Sequence, residues 1–264
     1  MHLTRRQRQR LGKTLAIVLP VGLAAFAAAS ADWARLQRAF FQPDIAADMF
    51  PDIITVAAVN TLKITAVAFA GGLVLGLAAA MLRLSPFRIY RVIGTVYVEL
   101  FRGIPALVTL ILIGFALPIA LDTNIPGGDL AEKGFALALV AGAYIAEVIR
   151  AGIQAVPRGQ AEAARSLGMG PGRTMVSIVL PQAFRIVIPP LTNELVLLVK
   201  DSSLVFVLGT TAATVELTKF SRDLVSQTFN ITPITVVALM YLAISLPLTR
   251  LSAYIERRGA VSRR

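Results

Sequence analysis

The chain has 264 residues, of which 56% are hydrophobic and 16% charged, with 26 Lys and Arg against 15 Asp and Glu. Soluble domains carry about 45 to 50% apolar and about 25% charged residues, so this composition excludes an ordinary soluble domain as well as a disordered tail. A sequence without cysteine excludes disulfides and thiol chemistry. The single histidine, His2, stands at the start of the chain and argues against histidine-based catalysis or a histidine metal cluster.

Uncharged runs mark candidate membrane spans, because an ionised group at the bilayer centre costs about 2.5 to 3.5 kcal/mol even on a lenient insertion scale. Four such runs cover residues 14–31, 64–82, 103–121 and 224–249. A shorter run, 134–149, contains Glu147, and a run at about 186–208 is interrupted by Glu194, Lys200 and Asp201. We therefore predict an all-α polytopic membrane protein with six transmembrane helices.

The basic residues give an independent test of this topology, because cytoplasmic loops accumulate Lys and Arg. With the amino terminus inside, 19 of the 26 basic residues fall in inner segments and five in outer ones. Both termini are thus predicted to be cytoplasmic, in a multi-pass protein of a prokaryotic cell membrane. The first span also fits a cleavable signal peptide, with the small residues Ala29, Ser30 and Ala31 at its end. The sequence leaves open whether the first span is cleaved or retained as a membrane anchor.

The longest inner connection, at about 150–185, contains the strongest local pattern. Helix-forming residues at 160–167 follow Pro157 and precede Gly168, which predicts a helix of about two turns. Its alanines would let another protein surface approach closely, and Glu162 and Arg165 are spaced to pair. The Pro-Pro pair at 189–190 is expected to mark the start of the next span.

The residues of this connection match a known motif. Glu162-Ala163-Ala164, Gly168, Ile178 and Leu180-Pro181 resemble, at full spacing, the EAA loop of ABC importer permeases. Four further segments, 99–105, 143–153, 181–185 and 198–204, resemble the polar amino-acid branch of that family. The resemblance covers roughly 50–257, and the last five spans would then form the permease fold. It divides the chain into an extra unit at 1–49, a permease domain at 50–257 and a basic tail at 258–264.

The resemblance implies a set of partners. Two permease subunits would form the pore, each presenting its EAA helix to a cytoplasmic ATPase, while an external binding protein delivers the substrate. The implied ATPase contacts are Glu162, Ala163, Ala164, Arg165, Leu167 and Gly168. Since the sequence contains no G-x-x-x-x-G-K-[ST] loop, ATP and Mg would be bound by the partner ATPase. The chain itself is then expected to be no enzyme and to hold no cofactor and no metal. A homodimer and a heterodimer both remain open.

Polar residues inside the spans are candidates for a substrate path, because such groups are expensive in lipid. Asn193 and Lys200 are seven residues apart and share a helical face, as do Glu194 and Asp201. The full candidate set is Asn193, Glu194, Lys200, Asp201, Ser202, Ser203, Asn60 and Lys63. These groups either line a hydrated path or pair structurally, and the sequence leaves both alternatives open.

Glu99 with Arg102, and Glu147 with Arg150, are predicted to form local ion pairs at i and i+3. Two other functions compete with amino-acid uptake. One is an ABC importer permease for another small solute, such as an opine or an osmoprotectant. The other is a stand-alone secondary transporter in which Glu194, Lys200 and Asp201 carry a coupling ion.

Overall fold

The computed structural model describes residues 5–122 and 127–261, and every regular element in those two ranges is helical. The α-helices are α1 Arg5–Ser30, α2 Trp33–Phe40, α3 Pro43–Asp48, α4 Val59–Leu84, α5 Arg88–Gly103, α6 Ala106–Ile111, α7 Leu117–Leu121, α8 Gly128–Gln154, α9 Arg158–Ser166, α10 Pro171–Thr174, α11 Leu180–Asp201, α12 Leu217–Thr228 and α13 Thr232–Val261. Short π-helical turns lead into α4, α7 and α11, and a 3₁₀ segment, Ser202–Leu208, follows α11. His2 and the end of the predicted basic tail, 262–264, lie outside the described residues.

Four continuous helical segments are long and apolar enough to cross a membrane: Ile53–Leu84, Gly128–Gln154, Pro171–Leu208 and Thr232–Arg257. Two more candidates are bent pairs, Ala16–Ser30 with Trp33–Asp48 and Arg88–Gly103 with Ala106–Ala120. If each bent pair is one span, the total is six, in agreement with the sequence. The predicted all-α polytopic fold is confirmed.

At the third span the structure differs from the prediction, which placed one span on the uncharged run 103–121. The backbone turns through 109° between Arg88–Gly103 and Ala106–Ala120, at Ile104 and Pro105. A residue before proline is pushed out of the α region, and Ile104 adopts φ −94° and ψ 136°. Residues expected to be an inner loop before this span therefore form the 16-residue helix α5.

The helical segment that contains the fifth predicted span begins well before the run 186–208. Helical structure already begins at Pro171, so Pro189 and Pro190 lie inside α11 instead of marking its start. A helix tolerates proline in a membrane protein when neighbouring groups re-satisfy the freed backbone. The prolines free the carbonyls of Arg185 and Ile186, four residues earlier, while the hydroxyl of Thr192 donates to the carbonyl of Pro189 at 2.6 Å.

The last uncharged run is divided between two helices. Residues 224–228 belong to α12, and Phe229 ends that helix with a left-handed φ of 50°. Helix α13 then begins at Thr232 and runs for 30 residues. Within the described residues the sixth span is therefore α13 alone.

The core of the bundle is the contact between α4 and α8, which depends on glycine. A Cβ at Gly76 would lie 2.6 Å from Cγ2 of Ile145 and 3.0 Å from the backbone nitrogen of Ala146. A Cβ at Gly72 would lie 3.0 Å from the Cβ of Ala141. Gly72 and Gly76, spaced four residues apart, therefore allow the close packing of the two helices. Helices α5 and α11 pack around this pair.

Candidate functional site

Helix α9 forms where the sequence predicted a helix, starting two residues earlier, at Arg158. Pro157 has an extended backbone, with ψ 130°, and the helix begins at the next residue. Ala164 is buried, and Ala161 packs against the main hydrophobic core. Helix α9 thus rests on the bundle through its alanine side, and it also contacts α10 and the π-helical turn Met175–Val179.

The carboxyl end of α9 is closed by a glycine cap. The N–H of Met169 donates to the carbonyl of Ala164 at 3.1 Å, and the N–H of Gly168 donates to the carbonyl of Arg165 at 2.9 Å. This pair of bonds is a Schellman motif, which requires a left-handed residue at its centre. Gly168 supplies that residue with φ 84°. Gly168 therefore contributes to the local structure through its backbone conformation, since it has no side chain.

The opposite side of α9 is open to solvent. Glu162, Ala163 and Arg165 are exposed, and Leu167 is 86% exposed. The spacing of Glu162 and Arg165 predicted an ion pair, but no ion pair joins them in the part of the chain that the structure describes. Both charges and one large apolar side chain consequently face outward together.

The polar residues of α11 are arranged as two faces, as their spacing predicted. Asn193 and Lys200 are exposed, while Glu194 and Asp201 are half-buried. Leu197 is also exposed and lies between the first two on the same side. Ser202 is fully buried in the 3₁₀ segment, where its hydroxyl donates to the carbonyl of Val199 at 2.6 Å. Ser203 follows it and is half-buried.

Asn60 and Lys63 lie apart from these residues, on α4. Asn60 is 3% exposed, and its amide donates to the carbonyls of Ala213 and Val215 at 2.9 and 3.0 Å. It thereby ties α4 to the segment that precedes α12. Lys63 is exposed on the same helix. The two residues are close in the sequence, but one is buried and the other is exposed.

One predicted ion pair forms and the other does not. Glu147 on α8 pairs with Arg150, as expected, and also with Arg83 of α4, which the sequence analysis missed. Arg102 instead places its guanidinium 5.4 Å from the ring centre of Tyr144. No ion pair joins Glu99 to Arg102 among the described residues. A polar cavity of about 410 Å³ opens between these groups, lined by Arg83, Val98, Glu99, Arg102, Gly103, Tyr144 and Glu147.

A second polar network, at the predicted outer end of α8, was not anticipated. Lys133 is completely buried and pairs with Asp129, which also accepts the hydroxyl of Thr214. The i,i+4 spacing of Asp129 and Lys133 was the available sequence signal. Together with Asn60, this pair holds the segment before α12 against α4 and α8. Across residues 5–122 and 127–261, no three acidic or histidine side chains are grouped to hold a metal.

These features define a class: a helical membrane permease that places a short, capped helix on the predicted cytoplasmic side of its bundle. The comparisons with known proteins agree. The family model for the "Binding-protein-dependent transport system inner membrane component" matches residues 72–260. The probable glutamine ABC transporter permease protein GlnM of Bacillus subtilis is 42% identical over 206 residues, covering 75% of this chain and 89% of the relative.

Two further matches have the same character. The arginine transport system permease protein ArtQ of Bacillus subtilis is 36% identical over 199 residues, covering 75% of this chain and 88% of the relative. A solved amino acid ABC transporter with histidines matches with a TM-score of 0.72 and 36% identity, covering 80% of this chain and 96% of that one. The chain belongs to the family of inner membrane components of binding-protein-dependent transport systems, and it is an ABC importer permease of the cell membrane. This membership favours the permease prediction over the stand-alone secondary transporter.

Proposed function

We propose that this chain forms the translocation path for a polar amino acid and couples it to a separate ATPase through α9. One observation carries the coupling proposal: α9 is fixed to the bundle by Ala164 and leaves Glu162 and Leu167 outward. A contact with a rigid helix can pass movement to the bundle, whereas a contact with a loose loop cannot. The complete proposed contact is Glu162, Ala163, Ala164, Arg165, Leu167 and Gly168, with Ala164 and Gly168 shaping the helix.

The family membership supports the remaining partners of the proposal. Two ATPase subunits bind ATP and Mg, an external binding protein delivers the substrate, and a second copy or a sister permease completes the pore. The ATPases draw together on binding ATP and shift the bundles from inward-open to outward-open, and hydrolysis resets them. This chain carries out no chemical reaction and holds no cofactor of its own.

The exposed face of α11 supports the location of the path. Asn193 and Lys200 have no cover within a single chain, although they lie in an apolar helix. Polar residues in spans normally face a bundle interior or a water-filled cavity. A second subunit facing α11 would create that cavity, with Glu194, Asp201 and Ser203 near its wall. The glutamine and arginine permeases among the relatives favour an amino acid over an opine or an osmoprotectant.

The test uses the chain purified with its ATPase and reconstituted in vesicles with its binding protein. Glu162→Lys and Leu167→Asp should each weaken binding of the ATPase about tenfold, as expected for a loss of about 1.4 kcal/mol of contact energy. Uptake per ATP hydrolysed should fall as well. Arg88→Glu is the matched control, since Arg88 is exposed at the start of α5 and away from α9. It should transport normally.

Two results would contradict the proposal. One is unchanged coupling in both α9 variants while the complex stays intact. The other is uptake by this chain alone, without any ATPase, on an imposed proton or sodium gradient. Competition by amino acids, opines and osmoprotectants for binding-protein-dependent uptake identifies the substrate class separately.

A further inference from the structure

Helix α2 has two sides that differ sharply in chemistry. Trp33, Leu36 and Phe40 recur at i, i+3 and i+7 on one side, and Phe41 extends it beyond the helix. They surround a shallow apolar depression of about 350 Å³. Arg35 and Arg38 occupy the other side. A basic helix with a continuous aromatic face is the pattern of a helix that lies in a membrane interface.

The described residues leave most of the apolar side of α2 uncovered, with Phe40 half-buried. Trp33 is 63% exposed, Leu36 and Phe41 are exposed as well, and no residue of α2 is buried. Only the end of the helix is attached to the bundle. There the carbonyl of Arg38 accepts the amide of Asn230 at 2.8 Å, and the carbonyl of Ala39 accepts the N–H of Ile231 at 3.0 Å.

The position of the bilayer identifies what covers this side. The uncharged run of α1 ends where Asp32 begins, and its 18 residues span about 27 Å, close to the thickness of the hydrocarbon core. The lipid boundary therefore falls at Asp32, whose carboxylate caps α2 by accepting the N–H of Arg35 at 2.9 Å. The chain then turns through 79°. Helix α2 thus starts at the membrane surface and runs along that surface.

We propose that α2 is an interfacial helix that seats Trp33, Leu36 and Phe40 in the outer leaflet and holds Arg35 and Arg38 against anionic lipid headgroups. The indole of Trp33 suits this position, because its ring is apolar while its N–H is bonded to the carbonyl of Ala28 at 2.7 Å. Through Asn230 and Ile231, the anchored helix fixes the start of α13 at the level of the interface. This role is independent of the transported solute and of α9.

Trp33 is the single tryptophan of the sequence, so tryptophan fluorescence reports on α2 directly. The intact permease complex, if its ATPase and binding protein are kept free of tryptophan, is reconstituted in phosphatidylcholine with and without phosphatidylglycerol. Apolar faces of interfacial helices lie about 5 to 10 Å into the headgroup boundary. Lipids brominated near the headgroup should therefore quench Trp33 more than lipids brominated at the chain end. Acrylamide should quench it weakly, and most weakly with phosphatidylglycerol.

The variants separate the two sides of the helix. Leu36→Glu with Phe40→Glu should abolish shallow lipid quenching and increase acrylamide quenching. Ala34→Glu adds one negative charge away from the apolar side and should leave both unchanged, and Leu36→Glu alone is the variant with equal added charge. Arg35→Gln with Arg38→Gln keeps the apolar side, and should remove only the dependence on phosphatidylglycerol.

Three results would overturn the proposal. Trp33 quenched by acrylamide in lipid as fully as in the unfolded chain means that α2 is in water. Trp33 shielded from both acrylamide and brominated lipids means that a second copy or another protein covers it. Quenching strongest from lipids brominated at the chain end means that α2 lies in the hydrocarbon core.

Discussion

Asn60 is one of the candidate path residues, but its side chain has a structural role. Both of its observed hydrogen bonds go to backbone carbonyls of the segment before α12, Ala213 and Val215. A buried carbonyl that loses its donor leaves a polar group unsatisfied, at about 1 to 3 kcal/mol. Lys63, less than one turn away, has no such attachment and is exposed. The two residues therefore differ in what their removal would do.

We expect Asn60→Ala to destabilise the protein by about 1 to 3 kcal/mol, because its two carbonyl partners lose their donor. The measurement is thermal unfolding of the purified complex, followed by the kinetics of uptake. Lys63→Ala, the control, should keep the wild-type melting temperature. An Asn60→Ala protein with unchanged melting temperature and a raised KM would show instead that the amide meets the substrate.

At the scale of elements, the capped end of α9 links local backbone geometry to the proposed coupling. A Cβ at Gly168 would meet no atom within 4 Å, so a substitution there acts through the backbone and not through a clash. The left-handed conformation disfavours residues with a Cβ by about 1 to 2 kcal/mol, with Asn the common exception. Gly170 has φ −64° and equally open surroundings, so it carries no such restriction.

Gly168→Val should consequently loosen the end of α9 and lower coupled uptake several-fold, in line with about 1 to 2 kcal/mol of backbone strain. Gly168→Asn should retain most of the activity, because asparagine tolerates the left-handed region. Gly170→Val is the control for added bulk in the same connection. Solute uptake and substrate-stimulated ATPase activity of the reconstituted complex are measured together for all three. Equal loss in the Val and Asn variants at Gly168 would assign the effect to bulk at a partner surface.

At the scale of the whole molecule, the bundle leaves a stripe on α11 that suits neither lipid nor a protein core. Asn193, Leu197 and Lys200 are exposed along one side of a helix that is long and apolar enough to span the membrane. By contrast, Leu239 of α13 is exposed and apolar, as expected for a lipid contact. If two permease subunits enclose the α11 stripe, water reaches Asn193 and does not reach Leu239.

The cysteine-free sequence makes this contrast measurable without background labelling. Asn193→Cys and Lys200→Cys should react with a small charged thiol reagent in membranes, and added ATP should change the rate as the pore alternates. Leu239→Cys should stay unreactive, because thiolates do not form in lipid. Equal reactivity at all three positions, or none at Asn193 and Lys200 in either nucleotide state, would place the path elsewhere.

Four features could be predicted without the structure: the composition class, the helical membrane fold, the α9 helix with its glycine stop, and the Glu147–Arg150 pair. Each depends on local spacing or on summed hydropathy, which are properties of short stretches of chain. Tertiary structure decided that Arg83 joins Glu147, that Lys133 is buried with Asp129, and that Asn60 binds a segment some 150 residues away. It also decided that α11 continues through Pro189 and Pro190, whereas the backbone bends sharply at Pro105, between α5 and α6. Those outcomes depend on which partners the fold brings near a freed backbone group or a buried charge, and no local pattern contains that information.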